Sequence, residues 1–182
     1  MINPPMQPEL SDDVVALRPM LAGDFDALLA VACDPEIWAI HPAHDRWQEP
    51  VFRAFFDEGL ASGGALIVED RASGAVIGHS RYDTDYCLAG EIEIGWTFLS
   101  RARWGGATNR AMKRLMIAHA FDAGFEAVIF RIGETNWRSR RALEKIGGTL
   151  TDRTQVADMA RGAAVHVIYR IDRAAFASGP LA

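Results

Sequence analysis

Glu91-Ile92-Glu93-Ile94-Gly95-Trp96-Thr97-Phe98-Leu99 runs into Ser100-Arg101-Ala102-Arg103-Trp104-Gly105-Gly106-Ala107-Thr108-Asn109-Arg110, and the reading of this stretch decides the fold. The first nine residues alternate at period two, which predicts a strand with Glu91 and Glu93 on one face and Ile92, Ile94 and Trp96 on the other. Two carboxylates on an otherwise apolar strand have two readings: a wet or arginine-paired sheet face, or a general base on the floor of a cleft. From Gly105 to about Ala123 the period becomes helical, with Met112, Leu115, Met116 and His119 on one face and Arg110, Lys113 and Arg114 away from it. A strand, a small-residue loop with arginines and a helix start together suit an anion. The first helical N–H groups lack intrahelical acceptors, and the helix dipole favours negative charge there. Gly-Gly also serves as a plain turn, and the loop has neither the lysine of a P-loop nor a full GxGxxG. A pyrophosphate is the economical ligand.

Upstream, Val14 to Leu17 reads as a strand, Asp24 caps a helix to about Cys33, and a second helix covers about Glu49 to Ala61. Ala65 to Glu69 and Val76 to Tyr82 form a hairpin across Asp70-Arg71-Ala72-Ser73-Gly74. Downstream, Ala127 to Ile132 is a buried strand and Trp137 to Ile146 a helix stopped by Gly147-Gly148. Thr149 to Val156 and Ala164 to Ile171 are a closing hairpin. The order β α α β β β α β α β β defines an α/β (α+β) fold, a sheet flanked by helices.

At 182 residues the chain has the length of one domain, 1–182, with proline-rich residues 1–12 and the tail 177–182 expected to be loose. Hydrophobic residues at 49% and charged residues at 24% argue for a packed core and against disorder. Nineteen Lys and Arg against 24 Asp and Glu give a net charge of -5, the wrong sign for a nucleic-acid partner. Cys33 and Cys87 have no metal or redox spacing, so no metal is expected and a reducing, cytoplasmic setting fits. MINPPMQPELSDD lacks the basic start and apolar run of a signal peptide, and no 18-residue apolar stretch implies a membrane.

Asn136-Trp137-Arg138-Ser139-Arg140-Arg141-Ala142-Leu143-Glu144-Lys145-Ile146-Gly147 begins at a helix entry, and it is either a capped, solvated basic helix or a second cationic wall opposite the arginine loop. Asn136-x-x-Ser139 with Glu144-Lys145-x-Gly147, placed after the strand, the Trp-Gly loop and the long helix, resembles the GCN5-related N-acetyltransferases (GNAT). Within that family the chain is most similar to the subgroup of ribosomal-protein N-terminal acetyltransferases. The resemblance spans Leu17 to Arg170. The family loop pattern of Gln or Arg, two residues, Gly, one residue, then Gly or Ala falls here on Trp104, Ala107 and Asn109, all three departing from it.

The resemblance implies a mixed sheet whose middle strands, ending at Leu99 and near Ile132, splay to admit acetyl-CoA. Backbone groups of Phe98 and Leu99 would hold the pantetheine arm, and Arg103, Trp104, Gly105, Gly106, Ala107, Thr108, Asn109 and Arg110 the pyrophosphate. Asn136 and Ser139 would contact the arm from the other side, with Arg138, Arg141 and Lys145 near the adenosine phosphates. The implied reaction is transfer of acetyl to a primary amine of a small molecule or a peptide N-terminus by direct attack on the thioester. Glu93, eleven residues before Trp104, is the expected base. Where relatives carry a tyrosine acid this chain has Leu143, which leaves Ser139 or a water as donor. Trp38, His41 and Glu91 are the expected acceptor-side residues; His41 otherwise lies on the surface, and Glu91 otherwise faces solvent. A non-catalytic acyl-CoA-binding module in the same fold is the alternative, and the assembly is expected to be a monomer or homodimer.

Overall fold

The computed structural model describes residues 6–159 and 162–182. Its strands are β1 (Leu10–Ser11), β2 (Val15–Pro19), β3 (Ala65–Asp70), β4 (Val76–Asp83), β5 (Glu91–Leu99), β6 (Ala127–Gly133), β7 (Thr149–Met159) and β8 (Gly162–Asp172). Its helices are α1 (Phe25–Ala32), α2 (Glu49–Ser62), α3 (Thr108–Asp122), α4 (Trp137–Lys145) and α5 (Arg173–Ser178). The strands form one mixed sheet in the order β1-β2-β3-β4-β5-β6-β8-β7. Among the described residues, only β5 and β6 pair in parallel. This is the expected α/β sheet flanked by helices.

Two apolar clusters sandwich the sheet. Met112, Met116, Ile117 and Ala120 of α3 pack with Leu66, Val68, Ile92, Ile94, Val128 and Tyr169 on one face. Phe25 and Leu28 of α1 and Phe52, Phe55 and Phe56 of α2 pack with Ile67 and Phe98 on the other. The helices take the faces their period dictates, and Gly63 ends α2 in the left-handed conformation (φ 66°). Asp24 sits at the start of α1 without capping it. Its carboxylate instead takes two hydrogen bonds of 2.8 Å from Arg18.

β5 departs from its expected alternation at one point. Trp96 has φ 52°, and the β4–β5 register shifts between His79 and Arg81. This bulge reverses the inward and outward faces of the strand. Ile92 and Ile94 lie on the α3 side, whereas Trp96 packs with Phe98 on the α1–α2 side, the side that carries Glu93. Trp96 therefore does not share a face with Ile92 and Ile94.

The described ends of the chain are anchored rather than loose. Gln7 donates to the Ala65 carbonyl at 3.0 Å, and Leu10 and Ser11 pair with Leu17 and Ala16. At the other end α5 forms, capped by Asp172, and Leu181 is 1% exposed in the α3-side core. Residues 1–5 of the expected loose leader lie outside the described residues. Leu181→Ala is expected to destabilise the protein by about 2–5 kcal/mol, the usual range for a buried leucine, lowering the urea midpoint at an unchanged m-value.

Candidate active site

β5 and β6 pair only at Glu91–Ala127, Ile92–Val128 and Glu93–Ile129. Past that point the strands part, although β5 continues to Leu99 and β6 to Gly133, and each remains bonded to its outer neighbour, β4 or β8. The facing edges form a slot with backbone groups free to bind an extended, amide-bearing ligand.

Glu93 stands at the apex of the slot. It is 3% exposed, and Oε2 accepts from Arg131 Nε at 2.6 Å. A Cβ on Gly95 would lie 2.9 Å from Glu93 Oε1, so the absence of a side chain there admits the carboxylate beside the bulge. Burial pushes the Glu93 carboxyl above its ordinary range, opposed by Arg131. Arg131 Nη1 donates to Gln155 at 2.8 Å, and its guanidinium lies over Tyr86. The sequence motifs do not single out Arg131. The available signal was period two: it follows Ile129, the partner of Glu93, by two positions, and so shares the face of Glu93.

Glu91 neither faces solvent nor offers a free carboxylate. It is buried, receives two hydrogen bonds from Arg153 at 2.8 and 2.9 Å, and lies 3.6 Å from Arg170. Here the arginine-paired reading holds.

At the mouth of the slot, Phe98 and Leu99 are buried, and the Leu99 carbonyl accepts from the Trp104 indole at 3.0 Å. Gly105, Gly106 and Ala107 are exposed, and no side chain caps α3, which begins at buried Thr108 with Asn109 half-buried behind it. The unpaired N–H groups of this 15-residue helix suit a phosphate group. The arginines are more committed than expected. Arg103 pairs with Asp70 at 3.0 Å, and Arg110 donates to the Pro180 carbonyl.

Asn136 is buried and caps α4 through the Ser139 N–H at 3.3 Å. Arg138 donates to the Ile37 carbonyl at 2.6 Å, and its guanidinium lies 4.0 Å from the Trp104 ring centre, joining α4, the Trp-Gly loop and the α1–α2 connection. Arg141 and Lys145 are exposed, and Ser139 is half-buried. Leu143 faces the α3-side core.

On the α1–α2 side, Trp38 is buried and donates its indole N–H to the Ala32 carbonyl at 2.8 Å. His41 is half-buried, stands edge-on to Trp38, and accepts at Nδ1 from the Ala43 N–H at 2.9 Å. Desolvation holds its imidazole neutral, down to about 3. Pro42 packs where a Gly133 Cβ would lie, 2.7 Å from its Cγ. Beside that contact opens a cleft of about 350 Å³ bounded by His44, Glu134, Thr135 and the start of β8. His79, fully buried among Phe55 and Phe98, bonds the Trp96 carbonyl at 2.9 Å through Nδ1 and leaves Nε2 without a partner.

Lys113 overturns its sequence assignment to the exposed side of α3. It is 5% exposed and donates from Nζ to Thr97 Oγ1 at 2.8 Å. Desolvation brings the ammonium down to about 7, opposed by Glu93.

Comparison with known proteins agrees with this geometry. The model of the acetyltransferase (GNAT) domain matches residues 15–149, and the chain belongs to that family. A GNAT-family protein from Chromobacterium violaceum superposes with a TM-score of 0.81 at 20% identity, over 93% of this chain and 88% of the other. A GCN5-related N-acetyltransferase from Brucella melitensis gives 0.79 at 19% identity, over 94% and 81%. Mycobacterium smegmatis RimJ, solved in complex with CoA-disulfide, gives 0.70 at 17% identity, over 96% and 90%. These likenesses are of fold. No curated protein sequence matches the chain. Among the described residues no helix is long and apolar enough to cross a membrane.

Burial depresses the His79 imidazole to about 4. Its ring resonances are therefore expected to stay those of the neutral form from pH 8 to pH 5. Titration with a midpoint near the ordinary value of about 6.5 would contradict the packing described.

Proposed function

We propose that the protein is an N-acetyltransferase that moves acetyl from acetyl-CoA to a primary amine of a small molecule or peptide N-terminus, by direct attack on the thioester in an aqueous, cytoplasmic setting. The observation that carries this reading is the slot between β5 and β6 with a buried carboxylate at its apex. Acetyl-CoA supplies the activated acyl group. The parted strand edges at Phe98 and Leu99 suit the amides of its arm, the uncapped start of α3 suits its pyrophosphate, and Asn136 and Ser139 lie at the start of α4. Exposed Arg141 and Lys145 are the basic side chains of α4 available for further phosphate charge.

The attacking amine must be neutral. An α-amine has a pKa of about 7.7–8.0 and a lysine-type amine about 10.4, so a base assists at neutral pH, more for the second. Glu93 is that base. Its raised carboxyl pKa brings proton affinity closer to neutrality than an exposed glutamate has, and the Arg131 contact fixes one carboxylate oxygen while the other rests against Gly95. In this reading backbone N–H groups beyond the bulge stabilise the thioester oxygen as it gains charge. The acceptor approaches along the cleft beside Pro42 and Glu134, next to the edge-on pair of Trp38 and His41 that precedes Pro42.

Glu93→Gln keeps the shape and the Arg131 contact but not the basicity. It is expected to lower kcat by about 10²–10⁴-fold with an acetyl-CoA Kd near that of the wild type, measured by free-thiol release across an amine panel and by calorimetry. The acidic limb of the wild-type kcat/KM profile is expected above the ordinary glutamate value of about 4.3 and absent from the variant. Wild-type turnover in Glu93→Gln from pH 6 to 9 would remove Glu93 as the base. Binding of acetyl-CoA without thiol release for every amine would favour the non-catalytic module.

A further inference from the structure

The α3 face of the slot holds a charged group that the base mechanism does not use. Lys113 Nζ bonds Thr97 Oγ1 at 2.8 Å and lies 5.2 Å from the centre of the Phe130 ring. Thr97 follows the bulge on β5, and Phe130 is the first residue of β6 beyond the last paired position. The amine thus bridges the two strands where they part, on the face opposite Glu93. Thr97 is itself held by Ser80, with the two hydroxyls 2.7 Å apart. A lysine is rarely so buried without a carboxylate against it, and its hydrogen-bond partner here is a neutral hydroxyl.

We propose that Lys113 is the proton donor to the departing CoA thiolate, filling the role left open by Leu143. This rests on acetyl-CoA occupying the slot between β5 and β6. Glu93 takes a proton from the amine as the new C–N bond forms. The C–S bond breaks, and the electron pair left on sulfur takes a proton from the Lys113 ammonium. Lys113 regains a proton from water and Glu93 loses one as products leave, so the cycle balances.

The surroundings suit such a donor. Desolvation brings the ammonium down to about 7 while only neutral groups touch it. A thiolate formed beside it supplies the missing counter-charge, so the two titrate as a coupled pair in which the ammonium eases ionisation of the thiol and gives up its proton as CoA leaves. The groups facing Lys113 are Thr97 of β5 and Phe130 of β6. Glu93 and its Arg131 partner lie across the sheet, and the Tyr82 hydroxyl of β4, pushed up by burial, is tied to the Met116 carbonyl at 2.7 Å. Glu93 is the charge that raises Lys113.

The test reads the thiol of bound CoA directly and needs no acceptor. Ultraviolet thiolate absorbance is titrated from pH 5 to 10 on protein saturated with CoA, and the same protein with desulfo-CoA is subtracted to remove Cys33 and Cys87. In the wild type and in Ser139→Ala the bound thiol is expected to ionise at least tenfold more readily than free CoA. In Lys113→Met it is expected to return to the free value or above. An unshifted thiol in the wild type, the same shift in Lys113→Met, or loss of the shift only in Ser139→Ala would overturn the proposal. Failure of the wild type to bind CoA would instead refute the reading of the slot.

Lys113→Arg keeps the cation at the site if the Met variant does not fold. Arginine does not release its proton in this range, so the thiol shift is expected to persist while kcat falls at least tenfold and its alkaline limb disappears. Wild-type turnover and an unchanged pH profile in that variant would exclude proton donation.

Discussion

The parting of β5 and β6 is the constraint on which the site depends. Three residue pairs hold the strands together, and the bulge at Gly95 and Trp96 then turns β5 away. A bulky residue at φ 52° costs on the order of 1–3 kcal/mol, and it persists only where its surroundings fix it. Here they do: the Trp96 carbonyl accepts from the His79 imidazole, and the indole lies under the Arg81 guanidinium at 3.8 Å. Arg81 is held in turn by Glu58 and Asp83. A buried histidine and a buried ion pair thus serve the backbone conformation that opens the slot.

The same bulge explains what the sequence reveals and what it hides. Every expected strand and helix between Val14 and Ile171 forms, because period two and period 3.6 are local properties, and the Asn136 cap and the Gly63 stop are equally local. Alternation places Glu93 correctly, since the residue lies before the bulge. It misplaces Trp96, which lies within it. Glycine followed by tryptophan inside an otherwise regular strand is compatible with a bulge but does not require one.

Lys113 and the C-terminal tail depart from the sequence expectation for a different reason. A lysine on a helix is assigned to water unless some partner can be foreseen, and here the partner is Thr97, sixteen residues earlier and brought into reach only by the face reversal. The tail is short and rich in small residues, so nothing local announces that Leu181 reaches the core or that Pro180 accepts from Arg110. Long-range packing fixes both, and periodicity carries no information about it.

An arginine bonded to the carboxylate bears on whether Glu93 can act as a base. A guanidinium that gives both ends of its fork to one carboxylate favours the ionised form strongly. Arg131 does not: Nε faces Glu93 while Nη1 turns to Gln155, and Tyr86 lies against its plane. Glu93 is almost wholly withdrawn from water, and the loss of hydration outweighs the single contact, leaving the carboxyl above its usual range. The ion pair therefore acts chiefly on position, setting the carboxylate beside Gly95 at the apex where the strands separate. Burial acts on basicity. Removing the arginine would release the carboxylate from its place even as it raised its proton affinity, so the two properties of a base are supplied here by different parts of the fold.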